Sequence, residues 1–356
     1  MIFQRALLRE FAALSGAVFL TLFAIALTTR LVRLLGQAAG GSIPSDAVVA
    51  YLGFFSLGVL PVLLSLTLFI AVLLTLTRSY RDSEMIIWFN SGLSLAAWLR
   101  PVLTFSLPVV FVIAVMSLLL TPWSAEMAEL YRARLSARDD VSRITPGVFG
   151  ESASKDRVFF VESVSESSDV VRNVFVSSIQ HQRPGVMTSR TGRTETAPNG
   201  DRFIVLGEGR RYEGRAGEAS FRVMEFERYA MRVESREGED PVPTQKNLST
   251  LELATDPSPA NHGELVWRLG IPISALILAL LAIPLSFVNP RAGRSLNLIF
   301  ALIVFMLYSN LLSLSQANVV QGRLSFALGW WLIHGVMLML LLVLFSERMR
   351  LIRFRR

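Results

Sequence analysis

Residues 54–77 read FFSLGVLPVLLSLTLFIAVLLTLT, twenty-four positions without one Asp, Glu, Lys or Arg. A helix rising 1.5 Å per residue needs about 20 apolar residues to cross the bilayer core. A helix on the surface of a soluble domain would carry a polar face over such a length. The stretch therefore reads as a membrane span, and it sets the criterion for the rest of the chain. Five further stretches meet it: Phe11–Thr29, Pro101–Thr121, Leu269–Phe287, Leu296–Gln316 and Leu324–Ser346. The first follows Arg5 and Arg9, as a secretory signal would. No small-x-small cleavage site precedes Arg30, however, and five spans follow, so it reads as uncleaved.

Between the third and fourth stretches lies a polar segment, Pro122 to Leu265. The layout is three spans (1–121), one inserted domain (122–265) and three spans (266–356). Composition agrees, with 52% hydrophobic and only 18% charged residues, against roughly 25% charged in soluble domains. The net charge of +7 would suggest a nucleic-acid partner if it were spread over a folded surface. It is not: residues 122–265 hold 19 basic and 23 acidic residues, and the remainder holds 16 basic and 5 acidic. That excess is a topology signal, and no nucleic-acid binding is expected.

Twelve arginines fall on one side of the spans: Arg5, Arg9, Arg78, Arg81, Arg100, Arg291, Arg294, Arg348, Arg350, Arg353, Arg355 and Arg356. Only Arg30, Arg33 and Arg323 lie in short loops on the other. Positive residues mark the cytoplasmic side, which puts both termini inside and the inserted domain outside. Arg30 and Arg33 break that bias. Three residues apart, they share one helix face at the outer end of the first span. Snorkelling to lipid headgroups is one use for them; binding an anionic ligand is another.

The inserted domain reads as β structure. Arg157–Val164, Val170–Ile179, Asp201–Gly207 and Ser220–Glu234 are rich in Val, Phe and Ile and partly alternate. Arg183-Pro184-Gly185, Pro198-Asn199-Gly200 and Glu213-Gly214 are turn signals between them. Pro122–Arg138 reads as a helix prolonging the third span, and Glu237–His262, with four prolines, as an irregular return to the membrane. An open antiparallel sandwich or jelly roll fits best. The fold class is thus a membrane protein of six transmembrane α-helices, 3+3, around an all-β, jelly-roll-like domain.

Catalysis has few carriers. The chain has no Cys. Lys155 and Lys246 are the only lysines, and neither follows glycine as a phosphate-binding loop requires. His181, His262 and His334 lie far apart without a second ligand at helical spacing, so no metal site is expected. None of the six spans contains Asp or Glu. A catalytic role within the chain is not expected, and no cofactor is.

The loop after the second span reads Arg78-Ser79-Tyr80-Arg81-Asp82-Ser83-Glu84-Met85-Ile86-Ile87-Trp88-Phe89-Asn90-Ser91-Gly92. Ser83 can cap a short helix with Glu84 in its first turn, and Gly92 can end it. Met85 to Phe89 then forms an apolar surface for the inner leaflet or for a docking groove on a cytoplasmic motor.

Here the chain resembles the lipopolysaccharide-export permeases, the LptF/LptG family. Arg81-Asp82-Ser83-Glu84-Met85 with Gly92 is similar to that family's coupling-helix motif, near 81–92. A second match runs from Glu264-Leu265-Val266-Trp267-Arg268 through Ile283-Pro284-Leu285-Ser286 and Asn289-Pro290-Arg291 to Gly293-Arg294. Arg30 and Arg33 before Gly41-Ser42-Ile43-Pro44, with Pro122-Trp123-Ser124 and Arg211-Tyr212-Glu213-Gly214, resemble the LptF branch more than the LptG branch.

The resemblance implies a non-catalytic permease subunit in the Gram-negative inner membrane. It implies pairing as a heterodimer with a second, LptG-type permease, and drive by a separate cytoplasmic LptB-type ATPase dimer that binds the ATP. Lipopolysaccharide would be extracted from the outer leaflet and passed through the periplasmic β domain to a single-span LptC-type bridge. Arg30 and Arg33 would bind the lipid headgroup. Arg211, Arg222, Phe221 and Phe226 would serve its passage through the β domain. Phe19, Phe23 and Leu27 on the first span and Phe305, Tyr308 and Leu312 on the fifth would line the cavity and lateral gate, unless they serve helix packing. Arg81, Ser83, Glu84, Met85 and Trp88 would couple to the ATPase. The LptG-type partner role, and a membrane receptor with a periplasmic sensor domain, are the competing readings. The receptor reading lacks a cytoplasmic output domain.

Overall fold

The computed structural model of the chain describes residues 2–40, 43–142, 147–151, 157–164, 170–180, 183–196, 202–214, 222–234, 244–287 and 294–354. They form two compact units, residues 1–128 with 243–356, and residues 129–242. The second is shorter at both ends than the polar segment of the sequence. Pro122–Ala128 belongs to the first unit, and so does the chain from Pro243 onward.

Among the described residues, six helical runs are long and apolar enough to span a membrane. These are α1 (Ile2–Ala39), α2 (Ala47–Arg81), a continuous run from Leu95 to Leu135, α7 (Pro259–Leu285), α8 (Arg294–Val320) and α9 (Phe326–Phe354). The short α3 (Glu84–Asn90) follows α2. The third spanning run comprises a 3-10 turn at Leu95–Trp98, α4 (Leu99–Val115), one π-helical turn at Met116–Leu120 and α5 (Thr121–Ser142). Such π turns arise where one extra residue is accommodated in a helix.

At the centre stands α7, packed against α2, α4, α8 and α9. Its glycines let α8 come close. A Cβ on Gly263 would lie 2.2 Å from Val320 Cγ2, and one on Gly270 would lie 2.7 Å from Leu312 Cδ1. Close backbone approach is how spanning helices gain packing where lipid offers no hydrophobic drive. In contrast, among its described side chains α1 buries only Leu7, Phe11 and Leu34 within the chain.

The stretch Glu237–His262 is more regular, where described, than its prolines suggest. Within it, α6 (Thr250–Thr255) opens with a reciprocal capping box: the Ser249 hydroxyl accepts from the Glu252 N–H, and the Glu252 carboxylate accepts from the Ser249 N–H at 2.8 Å. Those bonds hold the Glu252 carboxyl below its ordinary pKa. Then Pro259 occupies the first turn of α7, behind the Ser258 cap.

The second unit holds one antiparallel sheet whose spatial order is that of the sequence. Its strands are β1 (Phe149–Glu151), β2 (Arg157–Val164), β3 (Val170–Gln180), β4 (Arg183–Thr196), β5 (Arg202–Glu213) and β6 (Arg222–Glu234). The inserted antiparallel β domain between the third and fourth spanning helices is borne out. Three of the four predicted strands fall within two residues of their observed limits, and β5 runs six residues further. The Arg183-Pro184-Gly185 turn signal is corrected: these residues open β4, with Pro184 opposite Ile179.

Asn173 and Glu208 have positive φ, 50° and 49°. A polar row crosses the sheet there, with Asn173 donating to Glu162 and Arg190 paired to Glu208 at 3.1 Å. Inward alternation slips by one residue at this row, from Val174 to Val171 and from Gly209 to Leu206. Apolar residues on both sides still join one cluster that includes Phe159, Val161, Val174, Val176, Met187, Ile204, Leu206 and Met231. The slip explains why the strands alternate only in part along the sequence.

Candidate functional site: the coupling corner, the buried arginine and the sheet interior

The corner between α2 and α3 is tight. Asp82 N–H donates to Arg78 O at 2.8 Å, and Ser83 N–H to Tyr80 O at 3.2 Å. Ser83 itself is left-handed, φ 63°, and its side chain makes no cap bond. The expected serine cap is thus corrected: Ser83 turns the chain, and its backbone carbonyl accepts from Ile86 and Ile87. Gly92, at φ 97°, ends the segment as its sequence predicts.

The apolar surface of α3 is divided. Met85 is 1% exposed within the main core, beside which Trp88 and Phe89 pack. The Phe89 ring lies 5.4 Å from Trp98 and 6.3 Å from Tyr80. Ile86 and Ile87 face outward, 53% and 68% exposed. Met85 is therefore an anchor, not part of an open docking surface, because α3 needs one face to hold it to the bundle. Arg81 pairs with its neighbour Asp82 at 3.3 Å, and Glu84 lies 3.5 Å from Arg78.

Arg30 is half-buried with its guanidinium 5.0 Å above the Phe55 ring, and its shielded Nε has no hydrogen-bond partner among the described residues. Arg33, one turn on, is exposed. Phe19 and Phe23 stack at 5.4 Å on α1, half-buried like Leu27. The three α8 residues expected beside them have a different environment. Phe305, Tyr308 and Leu312 are 8%, 0% and 2% exposed, in the chain's own core. Leu312 packs onto Gly270, and the Tyr308 hydroxyl meets His334 Nδ1 on α9 at 2.7 Å. Within this chain they are helix-packing residues, so the two sets do not share an open face.

Arg268 stands in the second family-like motif with no role marked by the sequence. Its side chain is the most heavily bonded in the first unit among the described residues. It pairs with Glu264 at 2.9 Å and donates to the backbone carbonyls of Gln245, Lys246 and Leu248 and to Thr250 Oγ1. From the π turn, the Ser117 hydroxyl donates to the Arg268 carbonyl at 2.9 Å, and Thr250 donates to the Leu118 carbonyl. The Arg268 guanidinium thus ties the 245–250 segment to α7, the Arg268 carbonyl and Thr250 tie both to the π turn, and Gln316 on α8 reaches Glu264 at 3.5 Å. A buried charge persists only when paired and fully hydrogen-bonded, and this one is.

In the β unit, Arg211 is 8% exposed and paired with Glu213, and its guanidinium donates to the Tyr229 hydroxyl. Arg211 lies opposite Met224, five residues from Tyr229 along β6. On a flat sheet that offset is about 17 Å, and the two long side chains meet by leaning toward each other along the strands. Phe226 is half-buried against the apolar cluster, its ring over Gly209, where a Cβ would come within 2.5 Å of it. Arg222 is exposed, in register with Glu213. Phe221 lies outside the described residues. A groove of about 1170 Å³ is bordered by Phe226 with Phe149, Phe160 and Phe175 and by Arg190, Arg210 and Glu225. No cluster of His, Asp or Glu able to hold a metal ion occurs among the described residues.

Comparison with known proteins matches residues 5–347 to the family model described as lipopolysaccharide export system permease LptF/LptG. The chain is 30% identical over 349 residues to the lipopolysaccharide export system permease protein LptF of Escherichia coli K12, covering 97% of this chain and 94% of that protein. The same figures hold for LptF of Shigella flexneri. Six spanning helices, an antiparallel β domain inserted between the third and fourth, and a family match running through both halves agree: the chain belongs to the LptF/LptG family of lipopolysaccharide export permeases.

Proposed function

We propose that the chain is the LptF-type permease of an ATP-driven lipopolysaccharide exporter, paired with an LptG-type permease in the Gram-negative inner membrane. The family match over residues 5–347 carries this reading, and the LptF names of the curated relatives favour that role over the LptG one. Both termini and α3 face the cytoplasm, as the arginine distribution requires, and the β unit faces the periplasm.

Lifting a lipid with several acyl chains into water costs about 0.8 kcal/mol per CH₂, hence tens of kcal/mol. The exporter must therefore keep the chains covered while an ATPase drives the movement. That ATPase is a separate cytoplasmic dimer, which holds the ATP and docks on the outer face of α3 through Ile86, Ile87 and Glu84. Met85 and Trp88 fix the helix to the bundle, and Arg81 with Ser83 shapes its corner. Arg30 and Arg33 hold the phosphorylated headgroup by charge-assisted bonds of roughly 1.5–3 kcal/mol each. The shielded, unpartnered Nε of Arg30 suits an incoming anion. Phe19, Phe23 and Leu27 line the lipid's entrance beside the partner permease, and Phe305, Tyr308 and Leu312 support the fifth span behind the gate. The lipid then follows the inner face of the sheet past Phe226 and Arg211 to a single-span LptC-type bridge, and Phe221 and Arg222 serve the same passage.

A photo-crosslinking amino acid at Phe226, in the complete complex in membrane vesicles, tests the route. Lipopolysaccharide is expected to crosslink only when ATP is supplied. Absence of the crosslink, or an equal yield without ATP, would sink the route through the sheet interior.

A further inference from the structure

The last turn of α2 places one guanidinium between two carboxylates. Arg78 Nη2 donates to Glu10 of α1 at 2.8 Å, with Nε lying 2.7 Å from the second carboxylate oxygen outside hydrogen-bond geometry, while Nη2 also lies 3.5 Å from Glu84 of α3. Glu10 is the only acid in α1, and it stands immediately before the apolar stretch that begins at Phe11. At the arginine-rich side of a membrane protein, an acid at that depth requires a partner, and Arg78 supplies it. We propose that Glu10 and Arg78 are positioning residues that carry a displacement of the coupling helix α3 into α1, the helix that bears Arg30 and Arg33; the inference deepens the exporter reading and rests on it.

Three further observations give this contact leverage. The first is where α1 is held: near Glu10, Leu7 and Phe11 are buried, and the Phe11 ring lies 5.4 Å from Phe105 on α4. Further along, most of α1 is open as far as Leu34, which is buried again just past Arg33. The second is room to move. A cleft of about 480 Å³, bordered by Ala13, Leu14, Ala17 and Leu74, separates α1 from α2 beside the ion pair. The third is length. Arg30 lies twenty residues beyond Glu10 in the same unbroken helix, about 30 Å away. A rotation at the gripped end is therefore carried along one continuous helix to the arginines.

Sharing sets the direction of the effect. Arg78 cannot offer its full fork to both carboxylates at once. When a cationic surface of the ATPase takes up Glu84, Arg78 is released to Glu10 alone and draws the end of α1 against α2. When the ATPase lets go, Glu84 competes for Arg78 again and the grip on α1 loosens. The contact thus exchanges partners as the motor cycles, where a static ion pair would only add a little stability.

The test uses the assembled complex in nanodiscs and measures lipopolysaccharide delivered per ATP hydrolysed, beside thermal stability and the ATPase content of the purified complex. Glu10→Gln and Arg78→Gln are each expected to lower the delivery ratio at least fivefold, with melting temperature and subunit content retained. Arg78→Lys should recover part of the loss. The double variant should be no worse than either single one, because both remove the same bond. Single variants within twofold of the wild-type ratio, or losses that multiply in the double variant, would overturn the relay while leaving the exporter reading intact. A wild-type complex that moves no lipopolysaccharide would overturn both.

Discussion

Arginine is used in three environments by this chain, and each fixes a different outcome for substitution. Arg268 is enclosed and fully bonded, Arg211 is enclosed but beside an aromatic, and Arg33 is open. Replacing Arg268 by Met leaves Glu264 buried without its cation and frees three carbonyls of the 245–248 segment. A loss of about 3–5 kcal/mol is expected, read as a lowered unfolding midpoint in detergent micelles. Arg33→Met should change that midpoint hardly at all. The sequence marks Glu264 and Arg268 as a motif but offers no hint of this enclosure, since most of the cation's partners are backbone carbonyls twenty or so residues away. Ser83 is similar: the residue type suits a helix cap, and only the corner geometry shows a left-handed turn. Charge excess, by contrast, was legible residue by residue, because bilayer topology acts on single arginines.

Elements were legible where the bilayer or a half-buried sheet imposes one simple period. The six spans needed only length and charge. β2 holds a run of four apolar residues, Val158 to Val161, and its observed limits are those the sequence predicts. β4, RPGVMTSRTGRTET, was missed because its central position in the sheet is filled by Thr, Ser and Gly, whose pattern is polar on both faces. β5 was truncated where alternation slips at Glu208. Helix packing was invisible too, since a glycine in an apolar run says nothing of which neighbour approaches it. Gly263→Leu tests that approach: with Val320 and the Gln316 carbonyl in the way, α7 and α8 must separate. The expected cost is about 1–3 kcal/mol, measured as a lower unfolding midpoint. A variant as stable as the parent would show that the two helices do not need this contact.

For the whole molecule, the division at residues 129–242 has a practical meaning. That segment carries its own sheet and its own apolar cluster, so the excised piece is expected to fold in water, with a β-type circular dichroism spectrum and one cooperative thermal transition. A disordered spectrum would refute its independence. The three-plus-three plan and the inserted β domain were legible from composition alone, and the family from two motifs at a fixed separation. What could not be read was the wiring that makes two sequence halves one unit, because it depends on contacts across the whole inserted domain.

That wiring also imposes an order on biogenesis. The bond from Ser117 to the Arg268 carbonyl joins residues 151 positions apart. At about 5–20 residues per second, the ribosome leaves the π turn waiting roughly 8–30 s after it emerges before its partner exists. During that interval the first three helices hold an unfinished seam while the β unit is completed. The seam closes only when α7 inserts. Cells making this chain would therefore draw on membrane chaperones most heavily in that window, and a translational pause inside 129–242 would lengthen it.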